Sequence, residues 1–152
     1  MMGADAVDGL GADQALALEG MLELVRRLRR RADDLLAADY ELSISMLGLL
    51  GRLTCAPQQT LRQIELADAM GLSVSRASRV IDRLEELGLV ARHQCPSDGR
   101  ATNVTLTDAG AARAADAQHA VFGLVTDEFT GRLTPEETAV FAAAFGRLLT
   151  SA

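Results

Sequence analysis

Residues 61–110 read LRQIELADAM GLSVSRASRV IDRLEELGLV ARHQCPSDGR ATNVTLTDAG, and the order of apolar periods and turn residues in this stretch decides the fold. Ile64, Leu66, Ala67 and Met70 recur at helical spacing and are stopped by Gly71, where a left-handed backbone is easiest. Leu72 then packs and Ser73 caps a second helix over 74–87, with Val74, Ala77, Val80, Ile81, Leu84 and Leu87 on its apolar side and Gly88 at its end. Two helices joined by a Gly-containing turn form a helix-turn-helix. Leu89 to Gln94 and Asn103 to Leu106 follow as strand-like segments around Cys95-Pro96-Ser97-Asp98-Gly99-Arg100, a run with strong turn chemistry. The stretch is predicted to be a winged helix-turn-helix.

Working outward, Met1 to Gly11 holds three glycines among small and acidic residues and is expected to be a disordered arm. A long amphipathic helix follows, with Leu16, Leu18, Met21, Leu22, Val25, Leu28, Leu35 and Leu36 at spacings of three and four. Leu42 to Leu53 is apolar on most sides, a buried central helix that Ser43 or Ser45 can cap and Pro57 ends. Thr60-Leu61-Arg62 fits either a single edge strand or a loop. Thr107 caps a helix from Asp108 to about Phe129, closed near Gly131, and Thr134-Pro135-Glu136-Glu137 is a capping box that opens the last helix. The expected fold class is mainly α (α+β). A winged helix-turn-helix lobe over 39–107 joins a helical dimerisation region built from 12–38 and 108–152.

The chain has 152 residues, 49% of them hydrophobic, enough for one buried core. Its formal charge is −6, which opposes a polyanion partner unless charge is segregated. All fifteen cationic residues are arginine, suited to bidentate contacts with phosphate or guanine, although codon bias explains the same composition. Cys55 and Cys95 are too few for a disulfide framework or a zinc site, no apolar run reaches the roughly 18 residues of a spanning helix, and no signal-peptide order opens the chain. A cytoplasmic protein with no membrane partner, no metal and no cofactor is expected.

On the second helix Arg76, Arg79 and Arg83 form one stripe, with Ser75 and Ser78 beside them and Ser73 presenting the N-terminal N–H groups. Ser75, Arg76 and Ser78 sit where this motif reaches base edges, Arg79 suits either role, and Arg83 suits phosphate. The plainer reading is a solvated face on which Arg79 and Arg83 pair with Asp82, Glu85 or Glu86. Against it, the acids gather at the C-terminal end. In the wing, Arg100 can enter a minor groove with Asp98 orienting its guanidinium, the alternative being a plain turn. Arg26 to Arg31 holds five arginines, read as a solvated face balanced by Asp33 and Asp34.

The run Leu72 to Val90, then Asp98-Gly99-Arg100 and Val104-Thr105-Leu106-Thr107-Asp108-Ala109-Gly110, resembles the MarR family of bacterial transcription regulators, and the likeness extends over nearly the whole chain. The resemblance implies a homodimer held by helices from both chain ends, which binds a palindromic operator in double-stranded DNA. It also implies repression relieved by a ligand or oxidant, with positions 75, 76, 78, 79, 98 and 100 approaching DNA. A small aromatic or phenolic effector is the implied ligand, and Tyr40, Met46, His119 and Phe122 are the candidate pocket residues.

Two other readings compete. One is a winged helix used for protein interaction or dimerisation without DNA readout, which would carry an apolar patch in place of the arginine stripe. The other is a cysteine-based redox sensor. No cysteine lies near the start of the first long helix, Cys95 stands beside Arg92 and His93, and Cys55 is expected to pack as a small apolar residue. With no phosphate loop, nucleophile motif or metal-ligand spacing, the sequence does not read as an enzyme.

Overall fold

Ser43, Ser73, Thr107 and Thr134 each open a helix, because a side-chain oxygen ahead of an apolar run satisfies an N–H that the first turn leaves free. Their hydroxyls accept from the N–H of Met46 (3.2 Å), Arg76 (3.3 Å), Gly110 (3.0 Å) and Glu137 (3.2 Å). Glu137 completes the capping box by accepting from the Thr134 N–H at 2.9 Å. The computed structural model describes residues 11–95 and 98–150, without the side chains of 95 and 98–100. The arm up to residue 10 lies outside the described residues.

The elements run α1 (Ala12–Tyr40), α2 (Ile44–Thr54), β1 (Thr60–Arg62), α3 (Gln63–Ala69), α4 (Val74–Glu86), β2 (Val90–Cys95), β3 (Asp98–Leu106), α5 (Asp108–Glu128) and α6 (Pro135–Thr150). Residues 60–62 are thus a strand, paired antiparallel with β3 through Thr60↔Thr105, Leu61↔Val104 and Arg62↔Asn103. The sheet order is β1-β3-β2, and β2 pairs with β3 from Val90↔Leu106 to Cys95↔Asp98. β2 keeps the expected length, shifted by one residue, whereas β3 starts five residues earlier than the sequence pattern predicts, since backbone pairing continues into polar residues that carry no apolar alternation.

The core gathers around α2, whose Met46, Leu49, Leu50 and Leu53 are buried against Leu36, Leu66, Ile81, Leu84, Leu89, Val104 and Leu106. Ile64 and Val74, expected on the inward faces, are 56% and 51% exposed. Both stand in the first turn of their helices, Ile64 at the second residue of α3 and Val74 at the first of α4. Cys55 is also exposed, because it is the C-cap residue of α2 and lies past the last buried turn.

Asp33 does not balance the arginine run. Its Oδ1 accepts from the Ile44 N–H at 2.9 Å and so ties the start of α2 to α1, across a turn with Glu41 at φ 56. Arg113 of α5 donates to the carbonyl of Tyr40 at 2.8 Å, a cation on the C-terminal end of α1. Arg26 pairs with Glu23, whereas Arg27, Arg31 and Arg132 converge on Glu128 at the end of α5. No residue of α6 is buried. Val140, Leu148 and Leu149 on it, with Leu16, Leu22 and Val25 on α1, leave both chain ends strongly apolar at the surface.

The start of α5 is fixed by contact with the turn after α4. Thr107 donates its hydroxyl to the Gly88 carbonyl (2.8 Å) and its N–H to the Leu89 carbonyl (3.1 Å). Gly110 follows so closely that a Cβ there would stand 2.0 Å from the Leu89 carbonyl oxygen. Gly110→Ala is therefore expected to destabilise the fold by about 1–3 kcal/mol. Urea unfolding measures this, and an unchanged midpoint would contradict the close approach.

Candidate nucleic-acid interface

Helix α4 buries Ala77, Ile81 and Leu84, and its polar residues fall into two stripes along the opposite side. One stripe is Arg76, Arg79, Arg83 and Glu86, and the other is Ser75, Ser78, Asp82 and Glu85. Arg76 and Arg79 are exposed and have no side-chain partner among the described residues. Arg83 pairs with Glu86 at 3.0 Å, so the solvated-face reading holds for that residue. Ser73 Oγ lies 3.2 Å from Ser75 Oγ at the exposed N-terminus.

The second stripe is occupied by a residue that the sequence reading did not single out. Arg92 of β2 pairs with Asp82 (2.6 Å) and Glu85 (2.9 Å) through Nη1. Its Nη2 donates to the Ser78 carbonyl (3.0 Å) and hydroxyl (3.3 Å), and its Nε to Gln63 of α3 (3.3 Å). The Arg92 N–H also donates to Glu85 Oε1 at 3.0 Å. That backbone bond first, then the guanidinium bond, holds the Glu85 carboxyl below its ordinary value of 4.5. The signal was the period of the strand, because Arg92 shares the inner face with the buried Val90. On the other face Thr105 links Thr60 (2.8 Å) and His93 (3.4 Å).

Ser78, a candidate for base contact, is half-buried and engaged by Arg92. The wing residues Asp98 and Arg100 stand in the first turn-ward positions of β3, and their side chains, like that of Cys95, lie outside the described residues.

The four candidate pocket residues do not come together. A cavity of about 290 Å³ opens between α2 and α5, lined by Ile44, Leu47, Gly51, Ala114, Gln118 and Phe122 among others. Of the four, only Phe122 lines it. Met46 is buried in the core, Tyr40 packs against that core at the end of α1, and His119 faces outward. Helical periodicity marks a face as apolar but cannot separate core from cavity wall, which depends on how far apart two helices stand. Gln118 is the sole polar side chain of the lining.

Residues 48–102 match the MarR family, described as such. The fold superposes on Sco3205 of Streptomyces coelicolor, a MarR family transcriptional regulator solved in complex with DNA, with TM-score 0.77 and 30% identity over 93% of this chain and 89% of that one. The chain belongs to the MarR family. It is similar also to AbsC, a MarR family transcriptional regulator of the same organism, with TM-score 0.76, 26% identity and coverage of 93% and 95%. Wild-type MarR from E. coli, in its apo form, shares the fold, with TM-score 0.73, 23% identity and coverage of 86% and 95%. As a MarR-family member, the protein is a DNA-binding transcription regulator and not an enzyme. Among the described residues, no helix is long and apolar enough to cross a membrane.

Because its folded pKa is depressed, Glu85 contributes stability above its ordinary titration range and loses that contribution as pH falls through the folded value. Glu85→Gln is expected to melt below the parent at pH 7, with the gap narrowing as pH falls below the ordinary value of 4.5. Thermal melts across pH test this, and a gap that stays constant down to about pH 3 would refute it.

Proposed function

We propose that this MarR-family protein is a cytoplasmic, ligand-responsive repressor that binds a palindromic operator as a homodimer. The observation that carries the reading is the pair Arg76 and Arg79, exposed and without a side-chain partner among the described residues, on a well-capped helix whose other charges are engaged. Guanidinium groups held in this way keep their donors for guanine edges and phosphates. Ser73 and Ser75 flank them at the helix N-terminus, where N–H groups favour phosphate. Ser78 and Arg83 border the same surface, and the wing brings Asp98 and Arg100 to the adjacent minor groove.

The exposed apolar residues of α1 and α6 support a dimer in which two copies cover each other's chain ends. Two α4 helices related by a twofold axis then read half-sites about one helical turn apart. A protein-interaction module is disfavoured by the same surface, where the only large exposed apolar side chain of α4 is Val74. A thiol switch is not assigned: Cys55 is exposed at the C-cap of α2, and the side chain of Cys95 lies outside the described residues.

Ligand response is assigned to the cavity between α2 and α5 and not to the set expected from sequence. Apolar walls with a single amide suit a small neutral aromatic molecule with one hydrogen-bonding group, such as a phenol. Occupation would press on Gly48, where an added Cβ would stand 3.0 Å from Met70 Cε, and Met70 is the C-cap residue of α3 before the turn into α4.

Arg76→Ala and Arg100→Ala are each expected to weaken operator binding by about 1–3 kcal/mol at fixed salt. Footprinting on the DNA upstream of the gene supplies the operator, and unchanged affinity in both variants would overturn the DNA-contact assignment. Light scattering at micromolar concentration is expected to give a dimer mass, and a monomer would remove the twofold model of the operator. A neutral phenol such as 4-ethylphenol is expected to weaken operator binding about tenfold, and benzoate is not. Gly51→Leu, whose Cβ would meet no atom within 4 Å and whose side chain would occupy the cavity, should abolish the response; a response that survives places the effector elsewhere.

A further inference from the structure

We infer that Arg92 is a positioning residue that draws Asp82 and Glu85 toward the wing, masks both carboxylates from DNA, and keeps Arg79 unpaired for readout. The inference rests on the reading of α4 as the helix that faces DNA.

Helix α4 carries three arginines and three acids, so by itself it is neutral, a poor arrangement beside a polyanion. Asp82 lies three residues after Arg79, within reach of an i,i+3 ion pair, and its side chain is 54% exposed. Left without another cation, Asp82 would compete with a phosphate or guanine for the Arg79 guanidinium. Glu85, 41% exposed one turn on, would add a second like charge to the phosphates.

Arg92 removes both effects from outside the helix. It makes five polar side-chain contacts, to Asp82, Glu85, the Ser78 carbonyl, the Ser78 hydroxyl and Gln63, as many as a guanidinium has N–H donors. All three guanidinium nitrogens are engaged within the protein, and the side chain is only 20% exposed. Its contribution to DNA binding therefore acts through its neighbours. A lysine in its place would keep the charge near the carboxylates but lose the fixed fork of donors.

The test compares Arg92→Gln, Arg92→Lys, and Arg92→Gln combined with D82N and E85Q, after circular dichroism and urea unfolding have established that each is folded. The readout is the dissociation constant, across a salt series, for an operator duplex selected with the parent protein from random DNA. Failure of the parent to select any duplex would strike the DNA reading itself and is seen before a variant is made. With a duplex in hand, R92Q is expected to bind about tenfold more weakly, and D82N and E85Q to restore affinity to within about twofold of the parent. R92K should lose less than R92Q. The inference is overturned if R92Q binds like the parent, if its loss is the same with the acids neutralised, or if R92K loses as much as R92Q. Should R92Q not fold, R92K decides: a salt dependence like the parent's supports charge masking, and a loss of about tenfold overturns it.

Discussion

The junction where Thr107 and Gly110 meet Gly88 and Leu89 is the contact on which the arrangement of this molecule depends. Thr107 uses its hydroxyl twice, donating to the Gly88 carbonyl and accepting from the Gly110 N–H, while its own N–H bonds Leu89. The end of β3, the turn after α4 and the start of α5 are thereby fixed at one point. Because a Cβ at position 110 has no room, the backbones of α5 and of Leu89, just before β2, approach as closely as glycine allows. The direction of α5, and with it the place of the helical ends relative to α4, follows from that contact.

The remaining helices are referred to the same frame by polar contacts at their ends. Asp33 holds the N-terminus of α2 and Arg113 the C-terminus of α1, so α1, α2 and α5 keep a fixed mutual geometry around the cavity. Glu128 joins α1 to the far end of α5 through Arg27 and Arg31, with Arg132 of the following turn on the same carboxylate. These are partly exposed contacts whose net energies are small. Their effect is to fix the angle at which an apolar core of leucines, itself tolerant of direction, is assembled.

The charge of the protein acquires meaning only in this frame. A net charge of −6 says nothing about DNA while Asp82 and Glu85 of α4 are turned toward Arg92, Glu86 pairs with Arg83, and Arg76 and Arg79 have no side-chain partner among the described residues. The two stripes of α4 are offset by one residue, a rotation of about 100° on the helix, yet one is engaged by the wing strand and the other is open. The division of one helix surface into a structural and an open half is a tertiary effect.

The local sequence determined the helix starts, the Gly-stopped turn into α4 and the winged helix-turn-helix order, because capping, left-handed glycine and apolar period act within a few residues. It also placed the arginine stripe, since i,i+3 spacing on a helix is local geometry. Tertiary structure decided what distant segments do to one another. It made 60–62 a strand by giving it β3 as a neighbour, left Ile64, Val74 and Cys55 at the surface, opened the cavity between α2 and α5, and turned Arg92 into the partner of Asp82 and Glu85. Each of these depends on the distance between elements far apart in the chain, a quantity that no local pattern of residues encodes.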